Sequence, residues 1–232
     1  MRRALAALFA GAALGFLVTA GAAPFGIQLG HTRLILDTPS GFSDTAGYGS
    51  PRLTEIAENL AEASNRVLVF ALSDADTRRF SAGDSLELRR YLLAVTPRAT
   101  ERERASETQF SALTREATRG FSEPPSAAGS ASVDFMRFLQ TRPAGQANLL
   151  AELRRETGTL SLLLGTMVPQ PPATFWRDAP PPLFKLSTTT LALIGGRTLY
   201  ISAFTAYDTP EDVAWITSIT DRWVRELQRL NR

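Results

Sequence analysis

The chain has 232 residues with 25 Lys and Arg, 23 Asp and Glu, a single His and no Cys. The lack of Cys excludes stabilising disulfides and thiolate nucleophiles, and with only one His it also excludes zinc sites built from His and Cys. A chain of this length can bury one sizeable core without such cross-links.

The N-terminal segment has the parts of a secretory signal. Arg2 and Arg3 form a short basic start, and residues 4–23 contain no charged side chain. The small residues at 20–22 predict cleavage before Ala23, so that residues 1–22 are a signal peptide and residues 23–232 are one domain. An uncleaved membrane anchor is the alternative, because about 20 apolar residues can span a bilayer. Cleavage predicts a bacterial periplasmic or secreted protein, and only retention of the segment would attach it to a membrane.

Charge argues against nucleic acid as a partner. The whole chain is slightly basic, but removal of residues 1–22 takes away Arg2 and Arg3 and leaves 23 basic against 23 acidic side chains. Binding to a phosphate backbone relies on a positive surface. We therefore expect no nucleic-acid binding by the mature domain.

The first half of the domain alternates strands and helices. Ser50 and Pro51 favour a helix start, because Ser caps well and Pro at the first helical position loses no hydrogen bond. A polar stretch, 74–83, has room for one or two helical turns. The strands predicted here are Thr32–Asp37, 66–73 and Leu86–Thr96.

The middle of the chain is predicted to be helical with one flexible connection. Ser106 and Gln109 fit a capping box that begins a helix over residues 106–119, with Phe110, Leu113 and Ala117 on its apolar face. Residues 120–132 are rich in Pro, Ser, Gly and Ala, which is typical of a flexible segment. Two further helices are predicted, over Val133–Leu139 and Ala147–Glu156.

The last third carries the clearest sheet signal. After a strand at Thr159–Val168 and a Pro-rich loop at 169–182, two apolar runs are joined by Gly195 and Gly196, a link that suits a tight hairpin. A capped, amphipathic helix then begins at Thr209. These elements predict an α+β fold with a mostly antiparallel β-sheet of about six strands flanked by helices.

The residues offer little for catalysis. His31 is the single imidazole, and no G-x-S-x-G sequence provides a nucleophile elbow. Asp74 and Asp76 could supply oxygen ligands to calcium, but a solvated helix start explains them better. Glu87 and Asp212 could act as an acid and base only if the fold brought them together. We predict no catalytic residue, no metal and no cofactor.

Two places are candidates for contact with a partner. Phe175, Trp176 and Arg177 lie between proline clusters, which would present an aromatic and cationic tip, a composition enriched at binding hot spots. The alternative is that the two aromatic residues fold back over the sheet or the core. Tyr207, predicted to form an exposed pair with Asp208 before the last helix, has no structural role apparent from the sequence and joins the candidate set.

Several short stretches resemble the Mog1/PsbP-like superfamily. They are Pro39-Ser40-Gly41-Phe42 after the first predicted strand, the Gly-Gly hairpin, and the run from Tyr207 to Val213 before a helix that contains Trp. The resemblance implies an α/β/α sandwich with an antiparallel sheet, in exported bacterial proteins. It implies no catalytic residue, because that superfamily shares a shape and not a site.

Two functional hypotheses follow. The first is a non-enzymatic periplasmic protein that binds a protein or cell-envelope partner, through the 169–182 loop. The alternative is a small-ligand binder or enzyme that uses a cleft between sheet and helices, lined by aromatic residues such as Tyr91 and Tyr207.

Overall fold

A computed structural model describes residues 23–125, 134–170 and 181–232. The predicted signal peptide therefore lies outside the described residues, as does part of each predicted loop. The described strands are β1 Phe25–Leu29, β2 Thr32–Leu36, β3 Phe42–Asp44, β4 Asn65–Ser73, β5 Arg90–Pro97, β6 Asn148–Glu156, β7 Thr159–Val168, β8 Leu183–Ile194 and β9 Arg197–Ala206. The helices are α1 Pro51–Ala61, α2 Asp74–Ser81, α3 Glu107–Thr118, α4 Phe135–Gln140 and α5 Pro210–Leu230, with a short 3-10 helix at Ala46–Tyr48.

The predicted α+β class is confirmed, with a seven-stranded sheet in the order β3-β4-β5-β9-β8-β7-β6. All neighbouring strands in it are antiparallel. β1 and β2 pair separately as a hairpin. Gly195 and Gly196 join β8 to β9 with φ values of 57° and 74°, the left-handed geometry that a two-residue hairpin link requires.

One face of the sheet carries the main core. α5 packs on β8 and β9, and the β1–β2 hairpin and α4 close the layer around it. Trp223 is buried in this core and donates its indole N–H to the carbonyl of Asp37 at 2.8 Å. Asn231, directly after α5, pairs with the open edge of β2: its side-chain amide accepts from the N–H of Ile35 and donates to the carbonyl of Ile35, both at 2.8 Å.

The other face, which we call the second face, is covered by two separate helices. α1 packs Leu53, Ala57 and Ala61 against the β4 and β5 side. α3 packs Phe110 against Leu160 and other leucines of β7 and β8. The strip of β8 and β9 between these two clusters is only partly covered.

The predicted helix over Ala147–Glu156 is wrong, because this segment is strand β6. It pairs antiparallel with β7 and contains two irregularities, between Leu149 and Ala151 and between Glu152 and Arg154. Such bulges break the alternation of buried and exposed residues, so that Leu150 and Ala151 are both buried. The resulting spacing of apolar residues resembles that on one face of a helix, which explains the wrong prediction.

The predicted strand Leu86–Thr96 begins later, at Arg90. The carboxylate of Asp76 accepts from the backbone N–H groups of Glu87 at 2.8 Å and Leu88 at 3.4 Å, and Leu88 has a φ of 49°. These contacts hold the segment as a loop. Asp76 is 2% exposed, so the expectation that it belongs to a solvated helix start is also wrong.

Other elements agree with their sequence signals. Ser50 caps α1, and Ser106 and Gln109 form the predicted capping box of α3. β1 and β3 are short strands that the sequence patterns did not reveal. Within the three described ranges, no helix is both long and apolar enough to span a bilayer.

Candidate functional site

The predicted contact residues fall into two groups. Phe175, Trp176 and Arg177 lie outside the described residues. Tyr207 is described, and the expectation that it is exposed is wrong, since it is 5% exposed and belongs to the main core. Its N–H donates to the carbonyl of Phe184 at 2.9 Å, so Tyr207 ties the end of β9 to the start of β8.

The side chain of Tyr207 shares this buried setting. Burial raises the pKa of Tyr207, and the nearby carboxylates of Asp134 and Asp212 raise it further, against a smaller opposing effect of the backbone N–H of Met136. The neutral, buried phenol of Tyr207 therefore has a structural role where β9 ends beside the start of β8.

The joint between β9 and α5 is organised by Asp212, which is 4% exposed. Its carboxylate accepts from the N–H groups of Asp208 and Thr209, each at 3.1 Å, and from the guanidinium of Arg90 at 2.9 Å. Arg90 in turn lies over the ring of Trp215, 4.2 Å from its centroid. The polar groups of this joint therefore have structural roles.

Glu87 and Asp212 do not form an acid–base pair. Glu87 forms an ion pair with Arg79, whereas Asp212 forms one with Arg90. Among the described residues, no three His, Cys, Asp or Glu side chains come together as a metal-ligand set.

A partly exposed strip of small polar side chains runs along the second face. Sheet register places Ser187 beside Phe204 and Thr189 beside Ser202. At one end, Phe204 stacks on Tyr91 with ring centroids 4.4 Å apart and an interplanar angle of 10°. We call this the hydroxyl strip: Ser187, Thr189 and Ser202.

The aromatic pair at the end of the strip has a cation beside it. The ammonium of Lys185 lies 5.8 Å from the centroid of the Tyr91 ring, and Lys185 forms no ion pair within the described part of the chain. Tyr91 is 2% exposed, and burial raises its pKa to about 12. The phenol of Tyr91 is therefore neutral across the ordinary pH range.

Leu183 continues the Lys185 row to the end of β8. It is 52% exposed and lies opposite Val168 in the β7–β8 pairing, where the Pro-rich loop rejoins the sheet. Side chains alternate along a strand, so Leu183 and Lys185 point to the same face. The sequence predicts the loop as a contact surface but does not indicate that Leu183 is exposed. A strand pattern alone does not show which part of a sheet face is covered.

A cleft of about 460 Å³ lies at the opposite end of the strip, and we call it the α3 cleft. Its walls are the 100–105 loop and α3, which contributes Gln109, Leu113 and Glu116, and Thr198 of β9 belongs to its floor. Leu113 was predicted on the apolar face of its helix, but it is 39% exposed.

Thr198 is the unusual group in the α3 cleft. The residue is 8% exposed, and its Oγ1 has no hydrogen-bond partner in the part of the chain that the structure describes. A buried hydroxyl without a partner loses free energy of solvation that nothing replaces. No sequence pattern marked Thr198, since threonine is ordinary in a strand.

Another cavity, of about 660 Å³, lies beside the C-terminal half of α5. It is lined by four arginines, but Arg225 forms an ion pair with Asp221, and Arg229 with Glu226. Two of the four arginines are thus held in ion pairs, and Asp37 and Glu226 also line the cavity.

No family model, no curated protein and no solved structure matches the chain.

Proposed function

We propose that the chain is a non-enzymatic exported protein that binds a protein or cell-envelope partner. The proposed contact surface lies where β7 ends and β8 begins. The observation that carries the proposal is Leu183, a large apolar side chain 52% exposed where the Pro-rich loop rejoins β8. Phe175, Trp176 and Arg177 belong to that loop and precede Leu183 by six to eight residues in sequence.

The surroundings of Leu183 favour an acidic partner. Lys185 lies on the same face two residues away, close to the Tyr91 ring and without an ion pair to a described residue. An apolar anchor beside an unpaired cation suits a protein that offers an apolar side chain and a carboxylate. Tyr207 supports this surface from below by holding the backbone of Phe184.

Site-specific photo-crosslinking in the native envelope tests the proposal. A photoreactive residue at Leu183 should give one defined adduct, and the double change Phe175→Ala/Trp176→Ala should weaken it strongly. Leu113, also an exposed leucine, provides the matched control position and should not give that adduct.

The outcomes are distinct. An adduct that survives the double change removes the loop from the interface. Absence of any adduct specific to position 183 contradicts the proposed function.

The proposal includes export of the protein and its relationship to the Mog1/PsbP-like superfamily. Cleavage before Ala23 is expected to release a periplasmic or secreted protein, and the mass of the chain recovered from the envelope fraction measures this directly. The relationship to the Mog1/PsbP-like superfamily rests on the short resembling stretches and on an antiparallel sheet with helices on both faces.

A second candidate function is supported by the α3 cleft. It is a cleft between sheet and helix, as the alternative hypothesis required, although Tyr91 and Tyr207 do not line it. The volume of about 460 Å³, enough for a small organic molecule, is the observation that favours it.

A further inference from the structure

We propose that the open edge of β1 binds an extended segment of another protein as an added β-strand, with a carboxylate side chain opposite Gly26. This site is separate from the proposed partner surface. Leu29 of β1 belongs to the main core, whereas Lys185 lies beside Tyr91 on the second face of the sheet.

The free backbone groups of β1 are the first reason. Each residue of an antiparallel strand turns its N–H and its C=O to the same side, and successive residues alternate. Ile35 of β2 uses both groups to bond to Asn231, so it does not bond to Gly26, its register partner. The N–H and C=O of Gly26, and by alternation those of Gln28, therefore point away from β2. Neither residue's main chain has another partner among the described residues, which makes this edge a template for one more strand.

The edge strands of the main sheet are less suited to pairing. β3 has only three residues, and β6 contains two bulges. The last five residues of β6 also carry four charges, at Glu152, Arg154, Arg155 and Glu156. Short length, bulges and charges all protect an edge from an added strand. β1 has five residues in regular register with β2 and contains no charge and no proline, so it lacks most of this protection.

Gly26 allows a cation to reach the open edge. The φ of Gly26 is outside the left-handed region, so the backbone itself does not require glycine there. Arg33 lies opposite Gln28 in the register, and its side chain crosses β1 at Gly26, where an added Cβ would be 2.6 Å from its Nε. Glycine within a strand often marks the close approach of another group. The missing side chain therefore leaves room for the guanidinium beside the free backbone groups.

The position of Arg33 favours an acidic residue in the added strand. Arg33 is exposed and forms no ion pair with a described residue. Directly paired residues have their side chains on the same face, so the residue opposite Gly26 would meet this guanidinium. Its two neighbours would lie on the other face with Phe25 and Ile27, which are partly buried against the main core. The partner segment therefore has apolar residues on both sides of an acidic one.

An NMR titration of the 15N-labelled chain with the capped peptide acetyl-TVEVT-amide tests the proposal. Binding is expected to shift the amide signals of Gly26 and Gln28 and to slow their hydrogen exchange, because these N–H groups gain partners. Replacement of the peptide glutamate by glutamine should weaken binding about threefold, the usual contribution of an exposed ion pair.

Arg33→Gln tests the carboxylate contact. This variant should bind the glutamate and glutamine peptides equally well. Gly26→Ala should also remove the preference, because the added Cβ displaces the guanidinium while the backbone groups remain. Arg119→Gln is the control, since Arg119 is a 75% exposed arginine at the end of α3, and it should keep the threefold preference.

Gln28→Pro and Gln28→Ala form a matched pair for the backbone contact. Both lose the bond from the Gln28 side chain to the carbonyl of Gly30, but only proline also removes the N–H that points away from β2. Gln28→Pro should weaken peptide binding about tenfold, whereas Gln28→Ala should leave it unchanged. A peptide that is N-methylated at its glutamate should show the same tenfold loss with the natural chain, which keeps the test independent of how the proline variant folds.

The outcomes separate the parts of the proposal. Absence of shifts at Gly26 and Gln28, or an N-methylated peptide that binds as tightly as its parent, overturns strand addition. Equal binding of the glutamate and glutamine peptides by the natural chain overturns the acidic partner. Protection of the two amides that grows with protein concentration in the absence of peptide would show that a second copy fills the edge, and would overturn the proposed partner. None of these measurements involves Leu183, so this proposal and the proposed function can fail independently.

Discussion

Asp212 stabilises its surroundings as a charged group. Burial by itself raises the pKa of Asp212, but the N–H groups of Asp208 and Thr209 and the guanidinium of Arg90 outweigh this effect, and the pKa lies below its usual value. The carboxylate thus joins the start of α5 to β5 through charge-assisted bonds.

We expect Asp212→Asn to lower the free energy of unfolding by about 2 kcal/mol at neutral pH, because the hydrogen bonds lose their charge. The pKa is lowered in the folded state, so the stabilisation is present above the pKa of the unfolded chain, about 4, and is lost as the pH falls through the folded value. Urea unfolding at neutral and acidic pH measures both effects.

Asp208→Asn is the control for this change. The side chain of Asp208 is 49% exposed in an ion pair with Arg89, and exposed pairs contribute less than about 1 kcal/mol. Equal losses of free energy of unfolding in the two variants would show that the buried position of Asp212 does not strengthen its contacts.

Tyr91 predicts a loss of stability in strong alkali. The unfolded chain releases the phenol proton near pH 10, whereas burial keeps it bound to about pH 12 in the folded protein. Between these values the unfolded state binds fewer protons, so stability falls as pH rises, by about 3 kcal/mol in total. Tyr91→Phe should make this fall shallower in chemical unfolding curves, and the same curves at mild pH correct for altered packing.

At the scale of elements, Gly165 in β7 shows how closely α4 approaches the sheet. A Cβ at Gly165 would lie 2.8 Å from methyl carbons of Leu139 and Leu150, both fully buried. Gly165→Ala is therefore expected to lower the free energy of unfolding by about 2 kcal/mol through overpacking.

Gly47→Ala is the matched control for this crowding, because an added Cβ at Gly47 meets nothing within 4 Å. Thermal unfolding of the two variants provides the comparison. A Gly165→Ala protein as stable as the control would mean that α4 does not pack on β7 in this way.

Local chemistry explains which elements the sequence predicts. Ser50, the Ser106–Gln109 box and Gly195-Gly196 specify backbone geometry within a few residues, and the corresponding elements are confirmed. The local pattern of β6 predicts a helix, because the bulges of this strand depend on pairing with β7, which no local pattern encodes.

The candidate sites depend on tertiary contacts and not on local sequence. The exposed position of Leu183 and the missing partner of Thr198 depend on where α1, α3 and the 100–105 loop lie over the sheet. The burial of Tyr207 likewise depends on the start of β8, more than 20 residues away. Composition could favour binding over catalysis but could not locate these surfaces.

At the scale of the whole molecule, Asn231 joins the two ends of the described domain. Its amide occupies both hydrogen-bonding groups of Ile35 on the open edge of β2. Asn231→Ala should leave these backbone groups without partners and speed amide hydrogen exchange at Ile35 selectively.

Asn231→Asp keeps the acceptor for the N–H of Ile35 and loses the donor to its carbonyl. We expect exchange at Ile35 to be intermediate in this variant. Unchanged exchange in both variants would mean that the Asn231 contact does not protect the edge of β2.

The same contact has a consequence for the order of folding. Ile35 and Asn231 are 196 residues apart, and the central strand β9 has β5 as a neighbour, with Tyr91 opposite Phe204. Pairings of such long sequence separation close late, because much chain entropy must be lost before they form. The main sheet therefore stays incomplete until β9 has been synthesised, and most of the chain must be available before this fold can form.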